Sequence, residues 1–300
     1  MSQQIFGLVA QQKGGTGKST YTDFLSAASL AAGKKTVVVD VDDGNSGFIR
    51  RCGKGSAVSL PWDMASDNAS EWIGRHLDCK EMVLFDLGAN LFTSGAPVTE
   101  FLAEAVTQAQ SSGARIVFFA VASTNSPGCG RLVTAMRDDF GSLGEVRIVE
   151  SNVDGSGAFE KSITTLGLKR IRVEYIDPGI QAVRLLRPEP LLNVLRQPTP
   201  GYELATARYA QMLLDFARQD NVLDLVGSRA LEVLGPLTER NLVQLYFVVR
   251  NLAQAGNETI QANYAYGRAH RALREANELD AKEVYEKARE FIAAARAYPC

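Results

Sequence analysis

The chain has 300 residues, of which 46% are hydrophobic and 22% are charged, the composition of an ordinary globular protein. Its formal net charge of −2 excludes a protein that coats nucleic acid over its whole surface, although a local basic patch remains open. The 4 cysteines show no CxxC spacing and the 2 histidines lie far apart, which argues against a zinc site and a disulfide framework. We therefore expect a reducing, cytoplasmic environment.

The first residues and the apolar runs bear on membrane association. After Met1, residues 2–4 are polar, and the sequence does not continue with a basic and then an apolar segment, as a secretion signal would require. The longest nearly apolar run, 116–122, is far shorter than a membrane span. We expect a protein that is neither secreted nor inserted into a membrane.

Apolar runs of strand length alternate with segments of helical length in the first two thirds of the chain. The runs are 5–10, 36–39, 82–85, 116–121, 146–149 and 171–176. This alternation predicts an α/β fold with a mostly parallel sheet covered by helices on both faces. Asp40 and Asp86 directly follow two of the runs, at the carboxyl ends of strands, where ligands bind in open α/β sheets.

Beyond about residue 200 the pattern is helical and no strand is predicted. We predict helices over 202–218, 238–255, 258–279 and 281–297, with Gly256 as a C-cap. The sequence thus divides into an α/β domain at 1–222 and a helical extension at 223–300. The last helix is amphipathic, so it either packs on its own neighbours or binds a partner or a second copy. Its polar face has charges of both signs, which disfavours a membrane surface.

The sequence VAQQKGGTGKST, residues 9–20, lies between the first strand and a helix predicted over 21–32. Strand, glycine loop and helix in this order predict a phosphate-binding loop, because glycines let backbone N–H groups approach phosphate oxygens. Lys18 is expected to reach the β and γ phosphates and the Ser19 hydroxyl to coordinate Mg²⁺. The alternative is a plain glycine-rich turn. The predicted nucleotide-binding residues of the loop are Gly14, Gly15, Thr16, Gly17, Lys18, Ser19 and Thr20.

A lysine at position 13 is not part of a general phosphate-binding loop. The form KGGTGKST resembles the deviant Walker A motif of the ParA/MinD family of P-loop ATPases. The resemblance implies that Lys13 reaches across a dimer interface to the phosphates of the partner's nucleotide, and so serves catalysis together with Lys18. ATP binding and dimerisation would then be coupled.

Two further segments resemble the same family. Residues 37–42, VVVDVD, are similar to its D-x-D segment, which implies that Asp42 positions the attacking water and that Asp40 supports the Mg²⁺ shell. Residues 82–88, MVLFDLG, are similar to its Walker B strand, which implies that Asp86 holds a Mg²⁺-bound water and that Gly88 lets a switch loop respond to the γ-phosphate. The alternative is that these acidic residues only end strands in solvent.

The chain departs from the family pattern in the two switch segments. It has DDGN at 42–45 where D-P-Q-G-N is usual, and LGAN at 87–90 in place of the common Thr-Pro-Pro. These departures bear on hydrolysis and on coupling to a partner. The resemblance implies that Asn152, after the strand at 146–149, contacts the adenine. The alternative is that Asn152 is a turn residue. The resemblance covers roughly residues 3–220 and does not reach the helical tail.

The resemblance implies a slow, partner-stimulated ATPase that uses ATP and Mg²⁺ and forms a homodimer on ATP binding. Its task would be one of three: the partitioning of DNA, in particular of a plasmid, the positioning of DNA, or conjugative transfer. A protein partner would bind through the C-terminal helices. The resemblance also implies non-specific DNA binding by residues 169–196, a segment that contains six basic and three acidic residues. An ordinary solvated surface is the alternative. The basic residues are Lys169, Arg170, Arg172, Arg184, Arg187 and Arg196.

Two other classes of function use the same loop. One is an enzyme that activates a small substrate in an amidating or ligase-like reaction. The other is a nucleotide-gated scaffold that hydrolyses little ATP and recruits a partner through residues 227–300. Turnover with and without DNA separates the scaffold from the switch, and metabolite-dependent ATP consumption identifies the enzyme.

Overall fold

The structure is a computed structural model that describes residues 3–11, 13–41 and 47–254. The strands are β1 Ile5–Ala10, β2 Thr36–Val41, β3 Val58–Ser59, β4 Met82–Leu87, β5 Arg115–Ser123, β6 Glu145–Ser151 and β7 Arg170–Val173. The helices are α1 Lys18–Ala31, α2 Gly47–Cys52, α3 Ala69–His76, α4 Leu91–Ser94, α5 Val98–Ser111, α6 Cys129–Phe140, α7 Lys161–Thr164, α8 Pro178–Leu186, α9 Leu191–Arg196, α10 Glu203–Ala217, α11 Asp220–Val226 and α12 Arg229–Gln254.

The described strands form one sheet in the order β3-β2-β4-β1-β5-β6-β7, and every neighbouring pair is parallel. Helices cover both faces, so the central strands are buried on both sides and consist of continuous apolar residues. In β1, Val9 packs in one core, while Leu8 and Ala10 pack in the other. The α/β fold with a parallel sheet that the sequence predicts is confirmed.

The two cores differ in the helices that build them. The first lies between the sheet and helices α1, α2 and α8 to α12, and the second lies between the sheet and helices α3 to α7. Helix α1, which follows the glycine loop, is buried along most of its length at the centre of the first core. The glycine loop therefore connects the central strand to a helix that packing holds firmly.

All six predicted strands are present. The bounds of β1 are those predicted, and β2, β4, β5 and β6 extend by one or two residues beyond the predicted runs. Strand β7 begins one residue before the predicted run 171–176 and ends three residues before its end, so that part of the prediction was wrong. The sequence did not indicate β3, because two residues carry no detectable periodicity. Helix α1 begins at Lys18 rather than at residue 21, since the glycine loop ends immediately before it.

Helix α12 begins nine residues before the predicted start at 238 and contains Pro236. A proline inside a helix costs roughly 3 kcal/mol, because it removes a backbone hydrogen bond. Burial of Leu234 and Leu237 in the first core offsets this cost at about 1.5–3 kcal/mol each. The domain boundary at 222 stays a prediction, although α12 shares the core of the α/β domain. Gly256 and the helices predicted over 258–279 and 281–297 lie outside the described residues.

None of the helices in the described ranges combines the length and the apolar character that crossing a bilayer requires.

An ion-pair network ties together the amino ends of β5, β6 and β7. The side chain of Arg147 is completely buried, and its guanidinium donates to Glu145 at 3.0 Å and to Asp224 of α11. Arg115 adds hydrogen bonds to the same two carboxylates, at 2.6 and 2.7 Å, and Lys169 lies 3.0 Å from Glu145. A buried guanidinium is tolerated only when its donors are paired, so both carboxylates are needed for the packing of this corner.

The network predicts a loss of stability in acid. Hydrogen bonding from Arg115 holds the pKa of Asp224 well below its usual range, and this effect outweighs desolvation. Desolvation opposes the shift at Glu145, but hydrogen bonds from Arg147, Arg115 and Lys169 lower the pKa of Glu145 to about 2. Both pKa values lie below those of the unfolded chain, about 4. The stabilisation is therefore present above about pH 4 and is lost as the pH falls through the folded-state values.

We expect Asp224→Asn to reduce the dependence of the free energy of unfolding on pH between about pH 5 and pH 2. The variant lacks one carboxylate whose protonation favours the unfolded chain. Urea unfolding at a series of pH values measures this slope. A slope equal to that of the wild type would show that Asp224 does not contribute to acid unfolding.

Candidate functional site

The glycine loop lies between the carboxyl end of β1 and the first turn of α1. Gly15 and Gly17 have φ of 72° and 93°, a left-handed backbone that residues with a side chain rarely adopt. Gly14 and Gly15 are exposed, whereas the side chain of Thr16 is buried and its hydroxyl donates to the Lys13 carbonyl at 3.3 Å. The loop is therefore a fixed turn with its outer backbone open to a ligand.

The first turn of α1 has no side-chain N-cap and no acidic residue. The N–H groups at the start of a helix have no partner within the helix, and the helix dipole adds positive potential there. Lys18 is the first residue of α1, and its ammonium lies 3.5 Å from the Lys13 carbonyl, folded over the loop. Backbone donors, dipole and lysine together are suited to bind phosphate.

Ser19 connects the loop to the carboxyl edge of the sheet. Its hydroxyl donates to Oδ2 of Asp86 at 2.6 Å. Asp86 of β4 lies directly opposite Asp40 of the neighbouring strand β2, and both carboxylates are buried. Oδ2 of Asp40 accepts a hydrogen bond from the backbone N–H of Ile49 in α2 at 2.9 Å. The structure thus brings together the three residues that the sequence assigns to the metal.

Burial raises the pKa of Asp86 to about 7, with the Ser19 hydrogen bond opposing the shift and the nearby Asp40 adding to it. The charge on this carboxylate is therefore poorly stabilised by the protein itself. A divalent cation would supply that stabilisation, and carboxylate and hydroxyl oxygens are ligands that Mg²⁺ prefers. The donor set of Ser19, Asp40 and Asp86 fits Mg²⁺.

Lys13 lies at the start of the loop and is exposed. Its ammonium donates to the backbone carbonyl of Asn125, in the loop after β5, at 3.1 Å. The contact holds the lysine beside the glycine turn, on the surface. Its predicted role toward a second chain stays a prediction.

The remaining predicted site residues occupy the same edge or lie outside the described residues. Thr20 is half-buried in the first turn of α1. Asn152 follows β6 and is buried, and its side-chain oxygen accepts a hydrogen bond from the N–H of Gly157 at 3.1 Å. This bond organises the turn after β6, as a turn residue would, and the contact with adenine stays a prediction. Asp42 lies outside the described residues.

Residues at this edge that the sequence motifs did not indicate are Thr22, Ser151 and Trp62. Ser151 lies against Gly17, and Thr22 bonds Asp86. The indole N–H of Trp62 donates to the carbonyl of Val41 at 3.3 Å. The positions of Ser151 and Trp62 depend on how the strands and loops align in the fold. Thr22 could have been found from the sequence, because it lies three residues after Ser19 on one helix and therefore on the same helix face.

The basic segment at 169–196 is less basic at its surface than its composition suggests. Arg184 is buried and bonds Asp23 at 2.7 Å, so its assignment to an exposed DNA-binding surface is corrected. The reason is that α8 turns this side chain into the first core. Four of the other residues form ion pairs with carboxylates, and Arg196 is exposed. The paired residues are Lys169, Arg170, Arg172 and Arg187.

The parallel sheet, the glycine turn and the carboxylate edge define the class of fold, that of P-loop nucleoside triphosphatases. No protein-family model matches the sequence, and no curated protein matches it.

Several solved structures are similar in fold. The MinC:MinD cell division protein complex of Aquifex aeolicus has 16% identity and a TM-score of 0.42, and the match covers 68% of this chain and 92% of that one. A nucleotide-binding protein of Archaeoglobus fulgidus in complex with ADP has 17% identity and a TM-score of 0.43, covering 62% and 87%. The signal recognition particle 54 kDa protein of Aeropyrum pernix K1 in complex with GDP has 16% identity and a TM-score of 0.38, covering 93% and 60%.

Proposed function

We propose that the protein is an ATPase that acts as a nucleotide switch. ATP binds on the loop at 13–20, and Mg²⁺ is held by Ser19 and Asp86 with support from Asp40. The observation that carries the proposal is the hydrogen bond of 2.6 Å from Ser19 to Asp86, which links the loop to a buried pair of carboxylates. When bound, Mg²⁺ would neutralise charge on the β and γ phosphates.

The protein's own residues have separate roles in this proposal. Lys18 binds the β and γ phosphates, and Asp42 orients the attacking water. Asn152 lies beside the adenine. Lys13 reaches the nucleotide of a second copy, which its exposure and its place beside the turn support. The γ-phosphate would thus stabilise the dimer, and hydrolysis would release it.

The biological task that we propose is partitioning, positioning or conjugative transfer of DNA, with a partner protein at the C-terminal helices. Non-specific DNA binding through 169–196 would require phosphates to compete with ion pairs. Arg172 is 46% exposed and pairs with Glu174, which is 59% exposed. An exposed pair of this kind contributes little, about 0–1 kcal/mol, so phosphates can displace it. Arg170 pairs with Glu150, whose side chain is buried, so displacement of this pair would leave a buried carboxylate unpaired. Binding should weaken steeply with added salt.

The test is the molar mass in solution by light scattering, without nucleotide and with ADP, ATP or a slowly hydrolysed analogue plus Mg²⁺. We expect the wild type to be a dimer only with the triphosphate and Lys13→Ala to stay a monomer. Lys161→Ala, which removes an exposed lysine on α7, is the control and should dimerise. A mass that responds neither to nucleotide nor to Lys13 would contradict the switch.

A contact between the end of β2 and the segment after β4 favours a second candidate, a nucleotide-gated scaffold with little hydrolysis. The carbonyl of Val41 accepts hydrogen bonds from Gly88 N–H at 2.6 Å and from Trp62. A Cβ at Gly88 would lie 2.9 Å from the Trp62 ring, so the tryptophan packs tightly on the backbone after β4. This packing restrains the segment that a switch would move. Dimerisation with ATP and no turnover, with or without DNA, would identify the scaffold.

A further inference from the structure

Thr22 lies on α1, one turn after Lys18, and its side chain is fully buried. Its hydroxyl oxygen is 3.1 Å from Oδ1 of Asp86 and 3.1 Å from the carbonyl oxygen of Lys18. Ser19 bonds the other carboxylate oxygen, Oδ2. The carboxylate is therefore held on both oxygens by hydroxyls from one face of α1.

A threonine hydroxyl has one proton, so it donates fully to one of these two acceptors. A bond back to the carbonyl four residues earlier is common for threonine in helices, and Thr206 makes such a bond to Tyr202 at 2.9 Å. Thr22 differs because a carboxylate is also within reach. An ionised carboxylate is the stronger acceptor, since hydrogen bonds to charged groups are roughly twice as strong as neutral ones.

We propose that Thr22 is a positioning residue for Mg²⁺ binding, an inference that rests on the proposed function. The torsion that turns a carboxylate about its last bond is soft, so one hydrogen bond does not fix it. The Ser19 hydroxyl is itself a proposed ligand and must serve the metal when Mg²⁺ binds. Thr22 then keeps Oδ1 of Asp86 in place, and Oδ2 remains directed to the metal.

The experiment measures the affinity of a fluorescent ATP analogue over a range of Mg²⁺ concentrations and in EDTA. In Thr22→Val, which keeps the shape and removes the donor, we expect the Mg²⁺ concentration for half-maximal binding to rise about tenfold, as loss of a hydrogen bond to a charged group predicts. Affinity in EDTA should stay within about twofold, since this bond does not touch the nucleotide.

Two variants serve as controls. Thr22→Ser keeps the hydroxyl and should follow the wild type. Thr206→Val removes a buried helical hydroxyl that, within the part of the chain that the structure describes, bonds a backbone carbonyl and no carboxylate, and it should also follow the wild type. Circular dichroism checks that each variant is folded. Should Thr22→Val not fold, Thr22→Ala must show the same rise, because alanine also lacks the donor and favours helix.

The outcomes separate this inference from the proposed function. A wild-type Mg²⁺ response in folded Thr22→Val, or an equal loss of affinity in EDTA, overturns the role of Thr22 alone. A wild type that binds nucleotide in no condition overturns the proposed function, and the role of Thr22 with it.

Discussion

Asp23→Ala is expected to lower the free energy of unfolding by about 3–5 kcal/mol, the usual cost of removing one partner of a buried ion pair. Asp23 lies in α1 and is 1% exposed, and Oδ2 accepts from Arg184 at 2.7 Å and from Arg51 at 3.2 Å. Its other oxygen accepts from the N–H of Leu191 at 3.4 Å. Helices α1, α2, α8 and α9 thus meet at one carboxylate.

The cluster already has two guanidinium donors without a partner. Nη2 of Arg51 and Nε of Arg184 are buried and have no hydrogen-bond partner among the described residues. Without Asp23, two buried guanidinium groups would face each other with no carboxylate between them. The variant would relieve this repulsion by a movement of α2 and α8 that lets water reach the two guanidinium groups.

Urea unfolding measures the effect, with Asp138→Ala as the control. Asp138 pairs with Arg137 at 2.8 Å, but its side chain is 58% exposed, so its loss should cost less than about 1 kcal/mol. An equal, small effect of both variants would mean that the Asp23 cluster does not hold the helices together. Since Arg184 belongs to this cluster, loss of DNA binding in an Arg184 variant would report unfolding and not a phosphate contact.

Gly17→Ala is expected to weaken nucleotide binding by at least about 100-fold, because the loop cannot keep its shape with a side chain at this position. Gly17 has φ of 93°, and a Cβ there would lie 2.2 Å from Oγ and 3.3 Å from Cβ of Ser151. Rotation of the Ser151 hydroxyl relieves the first contact. The backbone strain, roughly 1–2 kcal/mol, and the close Cβ contact remain.

Titration of a fluorescent nucleotide compares Gly17→Ala with two matched variants. Gly15→Ala has a similar backbone at φ of 72°, and no atom of the described residues lies within 4 Å of its Cβ, so we expect a loss of about tenfold from strain alone. Gly17→Ala combined with Ser151→Gly, which also removes the Ser151 Cβ, should recover part of the affinity. Equal affinity of Gly17→Ala and the wild type would show that this turn does not form the phosphate site.

The sequence by itself predicted the elements that depend on local pattern. The strands at 5–10 and 82–87 are buried on both faces, and such strands appear as continuous apolar runs. The glycine loop depends on backbone conformations that only glycine adopts easily, so Gly15 and Gly17 could be recognised from their spacing.

The metal-side residues were predicted individually, and the structure showed how they meet. Asp40 and Asp86 lie 46 positions apart in the chain, and strand order makes them direct neighbours. Because parallel strands place their carboxyl ends at one edge, the motif order was sufficient to expect this meeting. The hydrogen bond from Thr22 needed the exact rotation of α1 over β4, which no motif contains.

Only the tertiary structure determined which charged residues of the helices are buried in ion pairs and which are exposed. Composition shows six basic residues at 169–196, but burial of Arg184 against Asp23 depends on a contact between residues 161 positions apart. The same holds for α12, which continues through Pro236 because Leu234 and Leu237 are buried against distant helices. Local sequence determines which conformations are easy for the backbone, whereas the free energy of a charge or a proline depends on the neighbours that packing brings to it.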